Sequence, residues 1–140
     1  MDYTILDSKY WKAKLNEDQY YLGRCVVVFK GDIEFIHQLS DEQFLDLKQV
    51  INKLETGLIK SFGTSNFNWG CLMNDSYLPQ NREKKKELHL HLRPRYEHSV
   101  DFAGEQFVDE EFGYHYDRVK KKIVSEDILN QIADKIRSNL

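Results

Sequence analysis

Between Ser40 and Gly63 the chain writes out one long amphipathic helix with both of its ends marked. Ser40 with Gln43 makes a capping-box pattern, and Asp41 and Glu42 suit the positive end of the helix dipole. Phe44, Leu47, Ile51, Leu54, Leu58 and Phe62 recur at steps of three and four, so one apolar stripe runs down the helix. Gly63 is a natural stop. A stripe that long must be covered. A partner helix could cover it, but the strand-like segments on either side point to a sheet.

Those segments alternate or run apolar. "KAKLN" (12–16) alternates weakly into the polar turn "EDQ". "GRCVVVFK" (23–30) is β-branched and continuously apolar in its middle, as a central strand is. "SNFNWGCLMND" (65–75) predicts another strand, and "SYLPQNREKKKE" (76–87) a charged loop. "ELHLHLRPRY" (87–96) predicts a strand that ends before Pro94. The stretch after it is aromatic-rich but irregular, until Ser125 caps a final helix with Ile128, Ile132 and Ile136 on one stripe. The expected architecture is α+β: an antiparallel sheet with one long helix packed on it, plus a C-terminal extension and helix. At 140 residues a single domain over 1–140 is expected, with a core at about 11–96 and an extension at about 97–140.

Twenty basic and 23 acidic residues leave a net charge of −3, which gives no reason to expect nucleic acid or a membrane as partner. The N-terminus has no signal-peptide core, and "CVVVF" is far too short to span a bilayer. Cys25 and Cys71 lie in strand-like runs without CxxC spacing, so reduced core thiols in a cytoplasmic protein are expected. There is no Walker loop, GxGxxG or internal repeat. The lysine runs Lys84–Lys86 and Lys120–Lys122 read as solvated loop charges. His37, His98 and His115 stand isolated and read as surface or capping residues.

In "ELHLHLRPRY" the side chains of Glu87, His89, His91 and Arg93 share one face, and Leu88, Leu90 and Leu92 the other. Three chemistries fit two imidazoles beside a carboxylate. They can be a structural pair on a half-exposed face. They can hold zinc. Or one neutral imidazole attacks phosphorus while a second, protonated one steadies the charge. The spacing alone leaves all three open.

The stretch also resembles the signature of the histidine triad family, His-x-His-x-His followed by two apolar residues and, in many branches, Pro-Arg. Aligned on Pro94 and Arg95, His89 matches the central, nucleophilic histidine and His91 the third. Glu87 replaces the first, and Arg93 replaces an apolar residue. "GRCVVVFK" looks like the family's GHxLVxPK strand, with Gly23 and Lys30 in place and Arg24 where a histidine is common. Asn16 matches the residue that binds ribose, and Asn74 the one that contacts the α-phosphate. The helix 40–62 falls where the family has its main helix.

The resemblance implies a homodimer that binds purine nucleotides such as AMP derivatives. It implies hydrolysis or transfer at the α-phosphate of NMP–X compounds, dinucleoside polyphosphates and nucleoside phosphoramidates among them, through a nucleotidyl-histidine intermediate on His89. His91 is expected to stay charged beside the phosphate. No cofactor or metal is implied, because the zinc of some relatives uses the first triad histidine and a CxxC pair, both missing here. Glu87 raises an alternative, a binding module with little turnover, since a carboxylate near phosphate repels it. An ion pair between Glu87 and Arg24, at the two positions where relatives carry histidines, would relieve that repulsion.

Overall fold

The computed structural model describes residues 3–140 and shows a mixed α+β domain. Five strands form one antiparallel sheet: β1 (Thr4–Asp7), β2 (Trp11–Leu15), β3 (Cys25–Phe29), β4 (Asn66–Gly70) and β5 (His89–Arg95), in the spatial order β1-β2-β3-β5-β4. The apolar run of β3 is thus the central strand, as its composition predicts. A separate hairpin joins β6 (Val100–Phe102) to β7 (Glu105–Phe107).

Helix α1 spans Asp41–Phe62. Its capping box forms: the Gln43 amide donates to Ser40 Oγ at 3.2 Å, and the Ser40 amide to Gln43 Oε1 at 2.8 Å. Gly63 ends it in the left-handed region at φ 68°. The buried stripe is turned slightly from the one read in the sequence. Val50 and Gly57 face inward with Leu47, Leu54, Leu58 and Phe62, while Phe44 is 42% exposed. The stripe packs with Cys25, Val27, Phe29, Leu88 and Leu92 in one core, so α1 covers the odd-numbered face of β3.

Helix α2 (Glu126–Arg137) completes that core with Leu129, Ile132, Ala133 and Ile136. The Arg137 guanidinium donates to the Thr4 carbonyl at 2.9 and 3.1 Å, fastening the C-terminal end to the first strand. Gly57 lies where the C-terminus crosses α1; a Cβ there would come within 2.9 Å of Leu140. The core therefore draws on both ends of the chain, from Ile5 to Ile136.

Some expected boundaries move. Strand β5 runs through Pro94, which pairs with Phe67 of β4. The β3–β5 ladder stops at Leu92, so Pro94 stands where no donor is required. The predicted strand 65–75 pairs only over Asn66–Gly70 and then gives way to short 3-10 turns. No helix among the described residues is long and apolar enough to cross a membrane.

Candidate active site

The register of β3 on β5 builds the site. Val26 lies opposite His91 and Val28 opposite His89, so both imidazoles rise from the face of the sheet that α1 leaves uncovered. Their ring centroids are 5.0 Å apart, edge to face at 84°. His89 Nδ1 lies 2.8 Å from the backbone carbonyl of Glu87. A carbonyl can only accept, so Nδ1 carries a proton and donates, and in the neutral ring the lone pair is then on Nε2. That is the form a nucleophilic or metal-binding imidazole needs.

His91 differs. Burial, followed by the nearby His89, Arg93 and Arg24, pushes its pKa down to about 4. That keeps it neutral at pH 7 in the free protein, whereas the charge expected from the sequence is for His91 beside a bound phosphate. The cause is physical: half-buried among cations, it has little to stabilise a further positive charge.

A cavity of about 420 Å³ opens over these rings and gathers most of the residues named from the sequence: Asn16, Arg24, Asn74, His89 and His91, with Arg93 beside them. Asn16 follows β2. Its Oδ1 accepts the Asp18 amide at 2.9 Å, and its Nδ2 has no hydrogen bond among the described residues. The turn that carries it is locked by fully buried Gln19, which donates to the carbonyls of Asn16 and Arg24 and accepts the Gly23 amide. Asn74 opens a short 3-10 turn. Met73, just before it, holds φ 58°, a left-handed conformation costly for a residue with a side chain.

Glu87 does not join them. Its side chain is exposed and lines no part of this cavity, and it has no ion pair among the described residues. The expected pair with Arg24 is therefore wrong. Antiparallel register carries Arg24 level with Arg93, six residues and about 20 Å along the strand from Glu87. Arg24 Nη1 instead donates to Asp18 Oδ2 at 2.7 Å.

Sequence reading missed Asp18, which does more than hold Arg24. Its other oxygen accepts the amides of Tyr20 and Lys122 at 3.0 and 2.9 Å, and a β-bridge joins it to Ile123. The C-terminal segment is thereby drawn to the cavity rim, where Arg118 and Lys121 stand. Within the run Lys120–Lys122 the flanking lysines pair with Glu110 and Glu105, and Lys121 lines the cavity. Its position four residues from Asp117, in a segment without periodicity, gave no signal of this. Among the described residues no three His, Cys, Asp or Glu side chains are grouped to hold a metal ion.

No protein-family model matches the sequence, and no curated protein matches it. Solved structures do match the fold. A histidine triad protein from Marinobacter aquaeolei VT8 aligns with a TM-score of 0.69 at 20% identity, over 99% of this chain and 88% of that one. One from Sinorhizobium meliloti gives 0.68 at 21% identity, over 99% and 90%. A diadenosine triphosphate hydrolase from Plasmodium falciparum gives 0.61 at 15% identity, over 97% and 74%. The chain has the histidine triad fold.

Proposed function

We propose that the protein binds purine nucleotides and cleaves NMP–X compounds at the α-phosphate, with His89 as nucleophile. The observation that carries this is the His89 Nδ1 bond to the Glu87 carbonyl, which presents a lone pair on Nε2 inside the cavity shared with His91, Asn16 and Asn74. Nε2 attacks phosphorus; an N–P bond forms as the bond to X breaks. Water then displaces the histidine, giving NMP and HX and splitting one hard displacement into two. Asn74 offers neutral donors to the phosphate oxygens, and Asn16 holds the ribose so that phosphorus lies in line. Glu87 takes part through its backbone carbonyl only, a group that every residue type supplies.

The same reading has the chain act as a homodimer in the cytoplasm. Phe35, Ile36, Phe44 and Leu45 stand exposed around the start of α1, which suits a contact between copies. Cys25 and Cys71 are free thiols, in keeping with a reducing compartment.

The test is His89→Asn. It is expected to abolish turnover of diadenosine polyphosphates and AMP phosphoramidate while AMP binding stays measurable. Wild-type protein quenched during turnover is expected to carry an AMP adduct by mass spectrometry. Retention of more than a small fraction of activity in His89→Asn sinks the covalent mechanism.

A further inference from the structure

Arg93 is a guanidinium in an uncommon position. It is only 8% exposed, it lines the cavity, and it has neither hydrogen bond nor ion pair among the described residues. The ring of Tyr116, 4.0 Å from its central carbon, covers it from the C-terminal segment. Its strongest charged neighbours, Arg24 and Arg118, are also cations, and with burial they lower its pKa. A buried cation left without an acceptor is costly. Among the described residues the Tyr116 ring face offsets part of that cost and no carboxylate does: Asp18, the buried carboxylate of the same cavity wall, already holds Arg24 and two backbone amides. Arg24 itself has a buried Nε with no hydrogen-bond partner.

Building on the nucleotide-hydrolase reading, we propose that Arg93, with Arg24, Arg118 and Lys121 around it, is a subsite for a second phosphoryl group of the substrate. On β5 Arg93 stands four residues from His89, about 13 Å along the strand, with His91 between them. The anion it meets is thus a different group from the phosphate attacked at His89 Nε2. A planar fork backed by further cations suits a phosphoryl group, which accepts through several oxygens. Two kinds of substrate present such a group: a polyphosphate leaving group, or a nucleotide that carries another phosphate on its ribose. An uncharged amine leaving group makes no use of the subsite.

The test compares wild type with Arg93→Met by calorimetric titration of AMP, inorganic tripolyphosphate and adenosine 3′,5′-bisphosphate. Wild type is expected to bind one of the last two more tightly than AMP. Arg93→Met is expected to cut that preference roughly 10–100-fold, the scale of a hydrogen bond to a charged group. Loss confined to tripolyphosphate places the second group in the leaving moiety; loss confined to the bisphosphate places it on the ribose. The preference of kcat/KM for diadenosine tetraphosphate over AMP phosphoramidate falls with it in the first case. Because Arg93 is buried, the exposed pair Arg118→Ala/Lys121→Ala is the second variant, expected to cut the preference several-fold with an unchanged melting temperature. An unaltered preference in both variants, or no preference in wild type, overturns the subsite. If wild type turns over no substrate, the hydrolase reading fails, and the binding preference still decides the subsite.

Discussion

Replacing Asp109 by alanine removes an acceptor that ties the start of the C-terminal segment to β5. Asp109 takes Arg95 Nε at 2.7 Å and Nη2 at 3.1 Å, a two-point contact, and also accepts the Tyr96 amide at 3.1 Å. The two side chains are 3% and 1% exposed, so solvent screens their attraction little. In the variant, Arg95 keeps only the Nη1 bonds to Asn68 and to the Tyr114 carbonyl, both at 2.9 Å. Three donors, Arg95 Nε and Nη2 and the Tyr96 amide, lose their acceptor inside the protein, and Arg95 loses its countercharge. Removing one partner of a buried pair costs about 3–5 kcal/mol. Against a typical total of about 5–15 kcal/mol, that is a large share. At about 4 °C per kcal/mol for a domain of this length, the melting temperature should fall by about 10–20 °C. Urea unfolding at pH 7 measures it, the midpoint falling with the slope held. The double variant Arg95→Met/Asp109→Leu should recover much of the loss, since no charge is then stranded. A cost under about 1 kcal/mol for Asp109→Ala, the value of an exposed pair, would falsify the claim that this anchor is buried and rigid.

His91 should titrate near pH 4 by NMR in the free protein and move upward when AMP fills the cavity; titration near its ordinary value without ligand would contradict the burial argument. Its depressed pKa also has a sign: between pH 6.5 and about 4 the unfolded chain binds the proton that the folded one refuses, so the His91 contribution to stability is complete above pH 6.5 and falls as pH drops through that window, measurable as the difference from His91→Asn. Gly23→Ala should destabilise by about 1–3 kcal/mol, because φ is +89° and the new Cβ would lie 2.6 Å from Leu58 on α1; an unchanged melt would refute that. Asn16→Leu should weaken AMP binding much more than orthophosphate binding, and equal losses would show that Asn16 does not meet the sugar.

What was legible in the sequence was local. The α1 caps are read from residues three apart, and Ser125 caps α2 by the same rule, accepting the Ile128 amide at 3.2 Å. What escaped depends on partners far along the chain. Strand β1 is four residues with only Ile5 buried, too short to show a period until β2 lies beside it. The β6–β7 turn places Ala103 at φ 53° beside Gly104 at φ 77°, and alanine gives no hint of that conformation. At the site, the positions of His89, His91, Asn16 and Asn74 were readable from motif and spacing, and the structure brings them into one cavity. The Glu87–Arg24 pair failed because it was drawn from the resemblance to one family's geometry rather than from the register, which sets Arg24 level with Arg93. The burial of Arg93 could not be seen at all, since the Tyr116 that covers it arrives from 23 residues away.

Positions 87 and 93 lie on either side of the histidine pair and bear on it in different ways. At position 87 His89 meets a carbonyl, which the backbone gives whatever the side chain, so an exposed glutamate is compatible with an oriented His89. At position 93 the side chain itself matters, because it places a positive charge under cover in the cavity. Burial first, and then His89 and the Arg93 and Arg24 charges, lower the pKa of His91. On the proposed hydrolase reading, an anionic substrate would offset these cations and raise the proton affinity of His91 while the site is filled. On that reading the imidazole is neutral in the empty cavity, and a proton on it would stand next to the departing group, where a general acid serves.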